Sequence, residues 1–234
     1  MIEIIANLVK RMRNKIFKPY TLNTAQYWDR YALLWKLSGK GKQFHHLGEE
    51  WKNEDIFIKL LQKYATGRSK ALEIGCGGGK ITSKALGLFD RIHATDVSRR
   101  MLQMSQKSLA QSDNVQFHQI DGFTLKEFAD DSFDLVYSHD VFVHFSSLQV
   151  YPYFKEIKRV LKPRGLTVIS FYNFVHHFEL FKEMALQYNQ DRRFPPHMRV
   201  HFVTEEIILV MLKDLRMCPV EINKENFLIV VAER

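Results

Sequence analysis

The stretch Ala71-Leu72-Glu73-Ile74-Gly75-Cys76-Gly77-Gly78-Gly79-Lys80 constrains this chain more than any other. Apolar Ala71, Leu72 and Ile74 read as the end of a buried strand, because strands covered on both faces show near-continuous apolar runs. Glycines at 75, 77, 78 and 79 then turn the chain sharply. Glycine takes positive φ at no steric cost and has no Cβ to hold a ligand off the backbone. Residues 81–88 read as the helix that follows. A strand, a bare turn and a helix N-terminus together make a cofactor cradle at the carboxyl edge of a parallel sheet.

The glycine spacing narrows the cofactor. A dinucleotide loop wants G-x-G-x-x-G, and the last glycine of that pattern is replaced here by Lys80. The loop is instead G-x-G-x-G, with acidic Glu73 inside the strand. Roughly twenty residues further on, Ile92-His93-Ala94-Thr95 leads into Asp96, and an acid ending a second strand can accept both hydroxyls of a ribose. Asp121-Gly122 follows a third strand. Together with the segment from Ser132 to His144, these motifs resemble the class I S-adenosylmethionine-dependent methyltransferases of the small-molecule type. The resemblance runs from about Leu72 to the C-terminus.

That likeness implies an α/β, Rossmann-like, doubly wound seven-stranded sheet of order 3-2-1-4-5-7-6, its last strand antiparallel. It implies a helical lid over residues 1–66 and a core over 67–234. It also implies S-adenosyl-L-methionine as cofactor, and it names no substrate. Carried onto this chain, the cofactor residues are Tyr27, Trp28, Glu73, Gly75, Cys76, Gly77, Gly79, Asp96, Val97, Met101, Asp121, Gly122, Phe123, Ser138 and His139. The family pattern assigns the third acid, Asp121, to the adenine amino group. Tyr27 and Trp28 then border the sulfonium, since an aromatic face attracts a cation by roughly 0.5–2 kcal/mol.

The rest of the chain fits such a core. Strands are predicted at 70–75, 91–95, 115–119, 133–138, 165–172, 220–222 and 227–232. Helices are predicted at 54–64, 79–88, 98–109, 124–129, 147–161, 175–189 and 204–215, with Thr204 as an N-cap. Lys162-Pro163-Arg164-Gly165 reads as a turn between helix and strand. The alternation predicts a parallel sheet with right-handed crossovers.

Charge bears on partners. The net charge is +8 over 234 residues, which favours anionic neighbours. Much of it lies near the start, where Ile2, Ile5, Val9, Met12 and Ile16 share a helical face and Lys10, Arg11, Arg13, Lys15 and Lys18 surround it. The expected contact is with an anionic membrane surface, with a second subunit or with the protein's own body. Charges threaded through these apolar residues argue against a signal peptide. Cys76 and Cys218 form no disulfide framework or zinc spacing, so a reducing cytoplasm is the expected compartment.

Ligands of an open α/β sheet bind beyond the carboxyl ends of its strands. Methyl transfer is an in-line displacement that needs a base only when the acceptor must lose a proton. His139, His144 and His177 are the candidate bases, because histidine titrates near neutrality. Asp140, Asn173, His176, Arg199 and His201 are candidate substrate contacts. Asp140 and Asn173 offer oxygens to Mg²⁺, but no third ligand accompanies them, so no metal is expected. Arg192, Arg193 and Arg199 form a basic cluster suited to a carboxylate or phosphate. The expected reaction is methyl transfer to an oxygen or nitrogen of a sugar, lipid precursor or specialised metabolite. Two alternatives stand beside it: a nucleic-acid methyltransferase and a non-catalytic cofactor-binding protein. Against nucleic acid, Ser138-His139-Asp140-Val141 lacks the prolines of base N-methylating enzymes, and Cys218 lies far from the cradle.

Overall fold

The computed structural model of the chain describes residues 24–42, 44–49, 53–190 and 200–234. Its strands are β1 (Lys70–Ile74), β2 (Arg91–Asp96), β3 (Val115–Gln119), β4 (Phe133–Ser138), β5 (Leu161–Asn173), β6 (Phe202–Val203), β7 (Cys218–Asn223) and β8 (Phe227–Glu233). They form one sheet of order β3-β2-β1-β4-β5-β8-β7, with β6 paired to the end of β5. Strands β1 to β5 are parallel, and β8 runs antiparallel to β5 and β7. With β6 set aside, this is the 3-2-1-4-5-7-6 arrangement. A two-residue strand carries no alternation, so periodicity cannot detect it.

Among the described residues, seven helices accompany the sheet: α1 (Thr24–Leu37), α2 (Asp55–Ala65), α3 (Lys80–Ala85), α4 (Arg99–Ser108), α5 (Ser147–Val160), α6 (Phe178–Gln190) and α7 (Glu205–Asp214). Successive strand side chains point to opposite faces. Along β8, Leu228, Val230 and Ala232 therefore enter one core with Val150, Phe154 and Ile157 of α5 and Ile208 and Leu212 of α7. Phe227, Ile229 and Val231 enter the other with Phe57 and Leu61 of α2, Ile81 of α3 and Leu102 of α4. Both faces are covered, which is why the central strands carry so few polar residues. Helix α2 is thus part of the main core, whereas α1 packs in a small cluster of its own, Ala32 and Trp35 against Leu47 and Met101.

Helix α1 is tied down by one carboxylate. Asp29 Oδ1 accepts from Ser98 Oγ at 2.6 Å and from Arg100 N at 3.0 Å. It therefore sits at the positive end of α4, where an acid is favoured.

Three local expectations differ from what is observed. Residues 124–129 form turns, although Leu125 and Phe128 are spaced as on a helix. Asp121 captures the amides of Phe123 and Thr124 at 2.8 and 2.7 Å, and such local side-chain bonds compete with helix formation. Lys162 to Gly165 lies within β5 as an irregularity in its pairing with β4, with Arg164 at φ +63°. Helix α6 starts at Phe178 rather than 175, because Asn173 Oδ1 accepts from Val175 N at 3.1 Å and holds a turn there. The basic N-terminal helix expected before Thr21, and Arg192, Arg193 and Arg199, lie outside the described residues. No helix among the described residues is long and apolar enough to cross a membrane.

Candidate active site

A cavity of about 980 Å³ lies beyond the carboxyl ends of the parallel strands. The glycine loop forms one wall. Gly75 N and Cys76 N both donate to Thr95 O at 2.8 Å, and Ser105 Oγ donates to Gly77 O at 2.9 Å, so β2 and α4 hold the loop. Gly75 sits at φ +75°, and a Cβ there would lie 2.4 Å from Val141 Cγ2. A Cβ at Gly78 would lie 2.8 Å from the backbone nitrogen of Leu47, because residues 44–49 cross the loop. Gly77, by contrast, has nothing within 4 Å of where its Cβ would stand, and it lines the cavity.

Asp96 stands beside Gly77. Its Oδ2 accepts from Gly77 N at 2.9 Å and its Oδ1 from Ser98 N at 2.8 Å. Burial raises its carboxyl to about 6, against the pull of these amides. Val97, Met101, Gly122 and Phe123 continue the wall, as does Cys76. Asp121 also lines it, with its carboxylate taken up by its own turn and by Lys126 at 3.2 Å. Burial works against that charge, but the Phe123 and Thr124 amides, the Thr124 hydroxyl and Lys126 hold it down at about 2. Tyr27 and Trp28 of α1 also line the cavity, edge to face at 5.1 Å.

Three expected cofactor residues stand behind the loop instead of in the cavity wall. Gly79 takes φ +89° to open α3. Ser138 Oγ donates to Ile74 O at 2.8 Å and joins β4 to β1. Glu73 accepts from Thr82 Oγ1 at 2.6 Å and from Tyr137 OH at 3.1 Å. Complete burial pushes the Glu73 carboxyl from 4.5 up to about 7. Folding therefore favours its protonated form. The stability it contributes is full below about pH 4.5 and is lost as pH rises through 7. Glu73→Gln keeps the accepting oxygen and removes the titration. It is expected to flatten the pH dependence of Tm between about 5 and 7 and to raise Tm at pH 8 by roughly 5 °C. Thermal unfolding followed by circular dichroism across pH checks this; an unaltered pH slope would remove Glu73 as its source.

The histidines are sorted by the fold. His139 is buried between Phe57 and Phe227, at 4.6 and 5.3 Å between ring centroids, with Nδ1 3.0 Å from Ser170 Oγ. Burial, and then the Lys80 charge, lower it to about 3, so it stays neutral at physiological pH. His144 lines the cavity on the turn after β4, its ring 5.0 Å from Trp28. His201 also lines the cavity, and its amide donates to Val143 O at 2.6 Å. His177 stacks on Tyr172 at 4.7 Å, outside the cavity wall. Asn173 is buried and His176 exposed, and neither lines the cavity.

Asp140 occupies the same turn as His144, at φ +59°, with its amide donating to Ser170 Oγ at 3.0 Å. Burial raises its carboxyl above the usual range, opposed by a hydrogen bond from Asn53 and the charge of Lys80. Lys80, Asn53, Tyr31 and Tyr172 line the cavity as well, and none was among the expected site residues. Tyr31 lies one helical turn after Tyr27, a spacing that could have found it. Lys80 was legible only as the residue replacing a glycine. Its ammonium pairs with Glu54 at 2.8 Å, and Lys84 pairs with the same carboxylate at 2.9 Å, so the start of α2 is clipped to α3.

A doubly wound sheet with a glycine loop after its first strand, an acid ending its second and a cavity above both defines the class I methyltransferase fold. Residues 72–169 match the family described as the methyltransferase domain. Among similar proteins, a sterol 24-C-methyltransferase of Gibberella zeae is 34% identical over 102 residues, 42% of this chain and 26% of that protein. A phosphoethanolamine N-methyltransferase of Plasmodium falciparum is 30% identical over 107 residues, 44% of this chain and 39% of that protein. The chain thus spans less than half the length of the curated relatives it matches. A solved S-adenosylmethionine-dependent methyltransferase of Methanosarcina mazei shares the fold, with a TM-score of 0.63 at 18% identity, over 75% of this chain and 96% of that one.

Proposed function

We propose that this chain transfers the methyl group of S-adenosylmethionine to an oxygen or nitrogen of a small molecule. The observation that carries the reading is one cavity lined by the glycine loop and Asp96 together with Asp140 and His144. At about 980 Å³ it is near the top of the roughly 300–1,000 Å³ range of ligand pockets, which suits a donor and an acceptor together.

The residues present fit the donor. The loop is bare where Gly77 faces the cavity, Asp96 offers carboxylate oxygens to ribose hydroxyls, and Tyr27 and Trp28 present aromatic rings to a cation. Helix α1 then serves as the lid; of the segment 1–66 set apart from the core of 67–234, α2 packs into that core instead. S-adenosylmethionine, when bound, supplies an electrophilic sulfonium methyl, so no protein nucleophile is required. The chain's part is to orient the acceptor, an effect worth roughly 7–11 kcal/mol in well-aligned cases. Asp140 accepts a hydrogen bond from the acceptor, and His144 takes its proton. His139 is too acidic as an imidazolium to take that part; Ser170 and two phenyl rings hold it as a brace.

Calorimetry with S-adenosylmethionine and its demethylated product tests the donor site. Isotopic methyl transfer into metabolite and lipid extracts then identifies the acceptor. With that acceptor, His144→Gln is expected to lower kcat by about 10²-fold and to flatten its pH profile, with donor affinity unchanged. His139→Gln should leave the shape of that profile intact. If the His139 variant loses the profile and the His144 variant keeps it, the assignment of the base is wrong.

A further inference from the structure

The edge of the sheet that holds the cavity carries exposed apolar side chains. Strands β3, β4 and β5 are parallel, so the segments after them emerge at one edge of the sheet. Each of the three carries an exposed large apolar side chain there. Phe123 follows β3 and is 64% exposed, Leu148 stands in the first turn of α5 at 87%, and Val175 follows β5 at 76%. Phe178 and Phe181 come next, at the start of α6, and are also exposed. Single exposed apolar residues are ordinary on protein surfaces. A group of them along the sheet edge that holds the cavity marks an interaction surface.

An aromatic path joins this rim to the interior. Tyr172, in the cavity wall, stacks on Phe202 at 5.9 Å. Phe202 meets Phe181 at 5.7 Å, and Phe174 meets Phe178 and Phe181 at 5.6 and 5.1 Å. Helix α6 buries none of its described side chains. Phe178, Phe181, Lys182 and Leu186 share one of its faces, and Lys182 Nζ lies 5.5 Å from the Phe178 ring centroid. An exposed face of aromatic and aliphatic residues with a lysine suits the boundary between headgroups and acyl chains.

Charge selects the occupant. The chain carries a net +8. Thr24 and Ala25, where the described residues begin, line the cavity, and residues 1–23 precede them in the sequence. Those residues bring five Lys or Arg and a single Glu, with apolar residues at helical spacing between them. Clustered basic residues are drawn to anionic headgroups.

We propose that this rim docks on an anionic lipid surface, and that the acceptor is an amphipathic lipid whose polar end enters the cavity from it. The identity of the acceptor rests on the methyl-transfer reading above; the docking does not. Sedimentation of the full chain with phosphatidylcholine vesicles, with and without phosphatidylglycerol, tests it. Pelleting is expected only with the anionic vesicles, weakening as salt rises. The double variant Leu148→Asp, Val175→Asp should reduce partitioning on the order of tenfold. Both positions are exposed, so its thermal unfolding should match the parent's. Failure of the unaltered chain to pellet, or undiminished pelleting of the variant, would overturn the proposal. So would a dimer that the same two substitutions dissolve, which would give the rim to a second copy of the chain. Calorimetry on the same samples separates the two readings. Donor binding without pelleting sinks the docking alone, and pelleting without donor binding sinks the methyl-transfer reading alone.

Discussion

Gly75→Ala is expected to destabilise the protein by about 2–5 kcal/mol and to abolish measurable donor binding. The residue sits at φ +75°, where an L side chain costs roughly 1–2 kcal/mol. Its new Cβ would stand 2.4 Å from Val141 Cγ2 and 2.9 Å from Val141 Cγ1. Overpacking of that kind costs about 1–3 kcal/mol more. Val141 cannot retreat cheaply, because its own turn carries Asp140 and His144 and is bonded to β5 through Ser170. The glycine loop must move instead, and with it the cavity wall to which donor binding is assigned above. Gly77→Ala is the informative control. Its Cβ meets nothing within 4 Å, so it should cost only the backbone part, roughly 1–2 kcal/mol, while still placing a methyl group in the cavity. Urea unfolding and calorimetry of both variants check the pair. A Gly75→Ala protein as stable as its parent would mean that Val141 does not approach the loop this closely.

Asp96→Ala should weaken donor binding by about 1.5–3 kcal/mol, or roughly 10- to 150-fold. A ribose hydroxyl bonded to a carboxylate accounts for that range. The same change leaves the amides of Gly77 and Ser98 without their acceptor, so stability should fall as well, by about 1–3 kcal/mol for each amide left dry. pH offers a second handle. Burial raises the Asp96 carboxyl to about 6, and only its ionised form accepts hydrogen bonds with both oxygens. Donor affinity is therefore expected to be steady above about pH 6 and to decline below it in the parent, and to show no such step in Asp96→Ala. Titration calorimetry from pH 5 to 8 in both proteins, with pH checked against folding, makes the comparison. Equal affinities at neutral pH would contradict the assignment of Asp96 to the ribose.

Much of this site was legible before any coordinates. Gly75 and Gly77 could be placed because few sequences put so many glycines between an apolar run and a helix. Asp96 could be placed because the spacing from that loop to the end of a second strand is nearly constant in such folds. The family resemblance pointed to Tyr27 and Trp28, and both line the cavity. Resolution among neighbours was lost. His139 and His144 lie five residues apart, looked alike and both line the cavity, yet only His139 is clamped between Phe57 and Phe227 and held neutral by burial. Residues 124–129 carried helical spacing and formed turns, because one carboxylate had already taken two of the amides.

The order of residues by itself determined the alternation of strand and helix, the glycine bend and the acid beyond it. These follow from local sterics and from the period with which apolar side chains recur, and both act over a few neighbouring residues. Only the tertiary structure decided that Asp29 would cap a helix 69 positions away, that Leu47 would rest on Gly78, and that His139 would stay neutral. Those outcomes depend on which surfaces meet and which groups lose their water when they do. Such meetings are set by the packing of the whole sheet and its helices, and a linear pattern carries no record of them.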